Sequence, residues 1–388
     1  MHRRDFLKAA GLASITLLSP AQALGAPRGR LGNRTLVLVE LQGGNDGLNT
    51  LIPFADPRYY ALRPRLAVER DQVLQVSGEL GLHPALKPLM SLWEREQVAI
   101  VAGVGYPNPN RSHFRSIEIW ETASNSDQVL GDGWLARAWG EKQTRNLVAD
   151  GIVVGDSDAG PLIGEGGRTV LMDEPRQFIN QARRVRSASL KTDNPALKHI
   201  LSVHQDLEQT ADRLESYLKG APALRTRFPN TQLGRKLSVV ARLVAADVPA
   251  PVMKVALRGF DTHARQHQSH PKLLGQLGDA LAAFQKAMVE AGRWNEVLVM
   301  TYSEFGRRPA QNASGGTDHG TAAPHFVLGG RVRGGLYGHQ PSLSDLQGDD
   351  LKHHVDFRQM YATAIRDWWG LKPNAALSPF KSLGYVKG

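Results

Sequence analysis

The sequence of 388 residues contains no cysteine. This absence excludes disulfide bonds, zinc ribbons, iron–sulfur clusters and thiol-based catalysis. Any metal site must therefore take its ligands from histidine, aspartate and glutamate, of which the chain has 13 His and 37 acidic residues. With 41% hydrophobic and 22% charged residues, the composition is that of a globular protein rather than of a disordered or fibrous chain.

The sequence also lacks an uncharged apolar run as long as the ~18 residues that a membrane-spanning helix needs. We therefore expect no transmembrane segment in the mature protein. The formal net charge is +10, but no segment alternates basic and aromatic residues as a groove for single-stranded nucleic acid would. We expect no nucleic-acid partner and interpret the excess charge as solvated helix faces with a mild preference for anions.

Residues 1–26 have the organisation of an export signal. A charged start is followed by an apolar stretch at 9–19 and by the small-x-small sequence AQA at 21–23. The segment RRDFLK at 3–8 resembles a twin-arginine signal, although His2 stands where serine or threonine is more usual. An ordinary secretory signal with a chance arginine pair is the alternative. The pattern predicts export of the folded chain by a bacterial twin-arginine translocase to the periplasm or the exterior.

Apolar runs of strand length alternate with helical patterns along the rest of the chain. The strand-like runs are 35–41, 98–102, 151–155, 252–257, 296–302 and 326–328, and the helical patterns include 86–95, 114–123, 195–219, 272–291 and 357–369. This alternation predicts an α/β fold with a doubly wound sheet that is covered on both faces. Residues 175–245 carry helical patterns without a strand, which indicates a helical insertion.

Sites in open α/β sheets form at the carboxyl ends of the strands, and acidic and imidazole side chains follow three of the predicted ones. Asp46 follows the first strand, either as a metal ligand or in a loop held by Asx turns. Asp261 and His263 follow the fourth strand and are two residues apart, so they point the same way in extended backbone and suit chelation of one ion.

Glu304 follows the fifth strand, and a glycine-rich segment then leads to Asp318 and His319. The Asp-His-Gly triplet is short and is weak evidence for a metal site when taken alone. It becomes stronger evidence because it follows a carboxylate at a strand end and the other clusters of acidic and imidazole residues. Together these oxygen and imidazole groups would suit one or two divalent ions such as zinc, manganese or calcium.

Arg111 and Ser112 lie between the second strand and the following helical pattern. Ser112 is placed to cap the helix, because an N-cap side chain satisfies free backbone N–H groups. The same position favours an anionic ester. Ser112 is therefore also a candidate nucleophile, activated by a metal, with Arg111 neutralising the transferred group.

Six motifs in this order resemble the domain-of-unknown-function family numbered 1501, whose members are often exported by the twin-arginine route. The motifs are LQGGNDGLN at 41–49, NRSHF at 110–114, FDTH at 260–263, SEFGR at 303–307, GGTDHG at 315–320 and DFR at 356–358. That family is similar in turn to the alkaline phosphatase and sulfatase superfamily.

The resemblance implies one alkaline-phosphatase-like domain over 33–388, a three-layer αβα sandwich with a mostly parallel central sheet. It also implies a dimetal centre with Ser112 as nucleophile and with Arg111 or Arg307 holding the spectator oxygens. The metal ligands that it implies are Asp46, Asp261, His263, Glu304 and His319, while Asp318 belongs to the Asp-His-Gly triplet. Phe305 stands where a histidine for a second metal is expected.

These observations predict an exported, metal-dependent hydrolase that acts on a small phosphate or sulfate ester. The alternative is a non-catalytic periplasmic binding or assembly protein that retains the fold with a degenerate metal site. Phe305 favours the alternative, and the density of aspartate and histidine at the strand ends favours the enzyme.

Overall fold

The computed structural model describes residues 15–17, 34–139, 147–164, 167–184 and 193–387. The predicted export signal lies outside these residues except for Ile15–Leu17, so it stays a prediction, as does the assignment of 33–388 to one domain. No helix in the described part of the chain is long and apolar enough to cross a membrane.

The strands are numbered along the chain. They are β1 (Ile15–Leu17), β2 (Thr35–Gln42), β3 (Leu51–Ile52), β4 (Leu74–Gln75), β5 (Gly81–Leu82), β6 (Val98–Gly105), β7 (Gly151–Val154), β8 (Arg168–Met172), β9 (Val252–Arg258), β10 (Val297–Tyr302), β11 (Arg307–Gln311), β12 (Thr317–His319), β13 (Ala323–Leu328), β14 (Gly335–Gly338), β15 (Leu346–Gln347), β16 (Asp350–Leu351) and β17 (Val355–Asp356).

The α-helices are α1 (Pro57–Leu62), α2 (Met90–Glu94), α3 (His113–Thr122), α4 (Trp134–Trp139), α5 (Pro175–Arg184), α6 (Pro195–Lys219), α7 (Gln232–Ala245), α8 (Gln266–Glu290) and α9 (Phe357–Thr363). In the residues that the structure describes, three short 3-10 helices cover Pro84–Leu89, Gly160–Leu162 and Trp294–Glu296, and a π-helical turn at Ala364–Trp368 continues α9. The predicted helix at 195–219 is confirmed with the same bounds.

The central sheet is mostly parallel, as predicted. Its strands lie in the order β1-β8-β7-β9-β2-β10-β13-β6-β14, and β17 also pairs with β6. The five strands β8, β7, β9, β2 and β10 run parallel to one another. The antiparallel strand β13 separates β10 from β6, and β1 is antiparallel to β8 at one edge. The carboxyl ends of β2, β6, β9 and β10 therefore meet at one edge of the sheet.

Helices cover both faces of this sheet, which confirms the three-layer αβα architecture. Because successive side chains of a strand point to opposite faces, Val37 and Val39 of β2 pack with Leu277 of α8 in one apolar cluster. Leu36 and Leu38 pack in a second cluster with residues of α3 and α9. Between β8 and β9 the described residues form only the helices α5, α6 and α7, and α7 packs on β9 and α8.

Gly43 allows the loops after β2 and β9 to approach each other closely. Its φ is +118°, a conformation that L side chains rarely adopt. A Cβ atom at this position would also clash with the backbone nitrogen of Asp261. Glycine at position 43 therefore brings the β2 loop against a carboxylate that the sequence singled out.

A buried charge cluster joins the sheet to α3. The Lys254 Nζ lies 3.1 Å from Glu40 Oε2 and 3.4 Å from Glu121 Oε1, and all three side chains are buried. Burial raises the pKa of Glu121 to about 8 against the opposing effect of Lys254. Lys254 is thus the cation that compensates buried carboxyl charge at this position.

Replacing Lys254 by methionine is expected to lower the free energy of unfolding by about 3–5 kcal/mol, because a buried carboxylate loses its counter-charge. Urea denaturation followed by circular dichroism measures the change. Lys286→Met, at an exposed position of α8, is the matched control and should stay within roughly 0.5 kcal/mol of the wild type. Equal stability of the two variants would contradict the role given to Lys254.

Candidate metal centre

His113, Asp261 and His319 converge at the carboxyl edge of the sheet. One ligand atom of each residue lies within 4.8 Å of the others. Among the residues that the structure describes, this is the one group of three or more such side chains that could hold a metal ion. His113 is the first residue of α3 after β6, Asp261 follows β9, and His319 ends β12. Three separate segments of the chain therefore supply the group.

The carboxylate of Asp261 is the centre of this group. Its Oδ2 lies 3.4 Å from His113 Nε2, and its Oδ1 lies 3.2 Å from His319 Nε2. His263 adds a third imidazole, with its Nε2 3.1 Å from Asp261 Oδ1 and 2.9 Å from His319 Nε2. The Asp261 side chain is 48% exposed, so a ligand can reach it from solvent.

Each imidazole is held by an acceptor at its Nδ1 atom. His113 Nδ1 lies 2.7 Å from Glu304 Oε1, and His263 Nδ1 lies 3.3 Å from Asp318 Oδ1. His319 Nδ1 lies 2.8 Å from the backbone carbonyl oxygen of residue 111. Because a carbonyl oxygen or a carboxylate only accepts, each Nδ1 donates its proton, and in the neutral form of each ring the Nε2 lone pair faces Asp261.

This arrangement fits a cation. In the neutral imidazoles the Nε2 atoms of His263 and His319 carry no hydrogen, so they and Asp261 Oδ1 are three acceptors about 3 Å apart. Acceptors repel one another unless a positive charge lies between them. Imidazole nitrogen and carboxylate oxygen, oriented by acceptors on the far side of each ring, are the donor set of transition-metal sites.

The electrostatics of the group keep its carboxylate ionised. Burial raises the pKa of Asp261, but the hydrogen bond from Arg307 and the closeness of His319 outweigh it and bring that pKa to about 2. The hydrogen bond to Glu304 raises the pKa of His113. Burial lowers the pKa of His319, which favours its neutral, ligating form.

Phe305 forms the inner wall of the site. Its buried ring packs against the imidazoles of His113 and His319, with ring centroids 4.9 and 4.5 Å apart. The side chain that stands where a second-metal histidine was expected therefore contributes packing and no ligand atom.

Arg307 was expected to hold oxygens of a substrate, and the structure places it entirely inside the protein. Its Nε donates to the Gly44 carbonyl at 2.7 Å and its Nη1 to the Thr317 carbonyl at 2.9 Å. Its Nη2 donates to the carbonyls of Gly43 and Phe260 and, at 2.7 Å, to Asp261 Oδ1. All three nitrogens are thus engaged by the protein.

Asp46 lies in a buried ion pair beside the group and is not a member of it. The Arg63 Nη1 lies 2.5 Å from Asp46 Oδ2, and both side chains are fully buried. Gln266 Nε2 also donates to that oxygen. Burial raises the pKa of Asp46, but Arg63 outweighs it and holds the pKa below its usual range. No sequence pattern pointed to Arg63.

Ser112 occupies the N-cap position of α3, as predicted, but its hydroxyl makes no capping hydrogen bond. Its side chain is exposed, and its backbone N–H donates to Asn110 Oδ1 at 2.8 Å. The Arg111 side chain is 45% exposed and pairs with Asp350 at 3.0 Å. Both residues directly precede His113, and the nucleophile assignment stays a prediction.

The structure thus brings together three of the ligands expected from the sequence, Asp261, His263 and His319. Glu304 and Asp318 lie behind two of the imidazoles rather than in the group itself. His113 was not among the ligands expected from the sequence, although it belongs to the NRSHF motif and follows the candidate nucleophile directly. Its position at the start of the helix that follows the second predicted strand was the signal that could have found it.

Solved structures similar to this chain include a protein in the alkaline phosphatase superfamily from Vibrio parahaemolyticus, at 11% identity and a TM-score of 0.40, covering 99% of this chain and 78% of that one. A phosphonate monoester hydrolase from Silicibacter pomeroyi matches at 11% identity and a TM-score of 0.43, with 90% and 76% covered. The alkaline phosphatase from the Antarctic bacterium TAB5 matches at 12% identity and a TM-score of 0.36, with 78% and 94% covered.

No curated protein sequence matches the chain. A family model does match, over residues 33–374, and its description is "Protein of unknown function (DUF1501)". The match covers most of the chain and includes every residue of the candidate metal centre. The protein therefore belongs to the DUF1501 family, as the six sequence motifs predicted.

Proposed function

We propose that the protein is a metal-dependent hydrolase of phosphate or sulfate esters. His113, Asp261 and His319 would hold the ion, with His263 as a further ligand. The observation that carries this proposal is the arrangement of three imidazoles whose Nδ1 atoms are held by outer acceptors and whose Nε2 atoms face one carboxylate.

The donor set favours one class of ion. Imidazole nitrogens are ligands that suit zinc and manganese, whereas calcium is bound by oxygen ligands. Of the three ions expected from the sequence, zinc and manganese therefore fit these residues better than calcium. A bound divalent ion would supply stabilisation of the negative charge that develops on the transferred group.

The chain's own residues would bind and position the ester beside this group. The N-terminus of α3 favours an anion, and the exposed Ser112 hydroxyl at that terminus is the proposed nucleophile. Arg111, half-exposed next to it, would neutralise charge on the transferred group. Glu304 keeps His113 oriented through its Nδ1 atom.

Ion binding is the first test. Adding Zn²⁺ to the metal-free chain should raise its melting temperature, because a ligand at 100 times its Kd stabilises the native state by about 2.7 kcal/mol. Asp261→Asn should abolish the shift, and Asp279→Asn, at an exposed position of α8, should keep it. Equal zinc shifts in the wild type and Asp261→Asn would exclude the proposed ligand set.

Activity is the second test, with aryl phosphate, phosphodiester and aryl sulfate substrates. We expect the zinc- or manganese-loaded chain to hydrolyse at least one of them, and Ser112→Ala to reduce kcat by roughly 10²-fold or more while the ion stays bound. Ser91→Ala, an exposed serine of α2, is the control. Activity of Ser112→Ala equal to that of the wild type would remove the nucleophile role from this residue.

The alternative function is a binding protein that retains one ion without catalysis. Two observations favour it: the Phe305 ring contributes no ligand atom, and Asp46 forms a buried ion pair with Arg63. An ion-loaded chain that hydrolyses none of the three ester classes would support this alternative over the hydrolase.

We also propose that the chain is exported by the twin-arginine route, on the basis of the RRDFLK segment. Replacing Arg3 and Arg4 together by lysine should retain the protein in the cytoplasm, measured by cell fractionation and immunoblotting. Lys8→Arg is the matched control and should be exported. Export of the double variant at the wild-type level would point to the ordinary secretory signal.

A further inference from the structure

We infer that the metal centre holds a single ion, and that the buried guanidinium groups of Arg307 and Arg63 exclude a second one. This inference rests on the proposed metal centre. It decides between the one or two ions that the sequence left open.

Arg307 places a fixed positive charge against the Asp261 carboxylate. Its Nη2 donates to Asp261 Oδ1 at 2.7 Å, while four backbone carbonyls accept its other hydrogen bonds. The side chain is buried and cannot turn away without leaving these acceptors unpaired. The Asp261 carboxylate therefore already has one fixed cation as a partner, before any ion binds.

Arg63 has the same relation to Asp46. Besides its contact with Asp46 Oδ2, its Nε donates to the Pro309 carbonyl at 2.7 Å and its Nη2 to the Arg308 carbonyl at 3.0 Å. Its Nη1 also donates to Asn49 Oδ1 at 2.8 Å. The guanidinium thus neutralises the carboxylate that would be the natural ligand of a second ion.

The remaining carboxylates near the group are committed as well. Glu304 accepts from the backbone N–H of Gly43 at 2.9 Å in addition to holding His113. Asp318 accepts from Asn312 Nδ2 at 3.0 Å in addition to holding His263. To bind a second ion, Glu304 or Asp318 would have to give up these hydrogen bonds and leave its position behind the imidazole.

One oxygen remains free. Asp46 Oδ1 is buried and has no hydrogen-bond partner among the described residues. Arg63 is bonded to the other oxygen of the same carboxylate, and the charge of Arg307 also acts on Asp46. A divalent cation at Oδ1 would be repelled by both guanidinium groups in a site of low dielectric constant, and the inference therefore excludes it.

The stoichiometry of the wild-type chain tests this inference. The metal-free chain is loaded with excess Zn²⁺ or, in parallel, Co²⁺, passed through a desalting column, and assayed by elemental mass spectrometry together with protein concentration. We expect one ion per chain. Two ions per chain would overturn the inference and leave the proposed function standing, whereas no ion would overturn the metal centre on which both rest.

Two variants test the role of the guanidinium–carboxylate pair. Asp46→Asn should still bind one ion, because Asp46 is not a ligand, whereas Asp261→Asn should bind none. Arg63→Gln removes the one of these two charges that is bonded directly to Asp46, so this variant should bind more than one ion per chain. One ion in a folded Arg63→Gln chain would overturn the role of Arg63. Circular dichroism checks folding, and the wild-type stoichiometry decides the inference if a variant does not fold.

Discussion

The candidate site depends on one buried guanidinium. The Arg307 side chain is buried. It donates hydrogen bonds to carbonyls of the loops that follow β2 and β9 and to the carbonyl of Thr317 in β12. Its remaining bond holds Asp261. A buried charge is tolerated only when its donors are satisfied, so the loops must converge on Arg307. That convergence brings Asp261 to the imidazoles that face it.

The acceptors behind the imidazoles complete what Arg307 begins. Glu304, Asp318 and the backbone carbonyl of residue 111 each take an Nδ1 proton, which leaves the ring nitrogens on the other side free to bind a cation. The packing of Phe305 against two of the rings limits their rotation. The arrangement suits an ion held from one side and open to solvent on the other.

Much of the fold and part of the candidate site could be predicted from the sequence. The alternation of apolar runs and helical patterns predicted the doubly wound sheet that is covered on both faces, because strands buried on both faces read as continuous apolar runs. Asp261, His263 and His319 were expected at the site because they follow strands or belong to motifs near strand ends. His113 was not, because a histidine at the start of a helix gives no periodic signal. In the sequence Asp46 looked equivalent to Asp261, because both are carboxylates that follow a parallel strand.

Four properties could be predicted without the structure: the α/β class, the family, the lack of thiol chemistry and the edge of the sheet at which acidic and imidazole groups gather. These follow from composition, from local periodicity and from short motifs, all of which are properties of neighbouring residues. Which of those groups meet depends on how the folded chain brings distant segments together. Arg63 is 17 residues from Asp46, and Arg307 is 46 residues from Asp261. The choice between ligand, outer acceptor and ion-pair partner depends on contacts between distant segments, which no local pattern records.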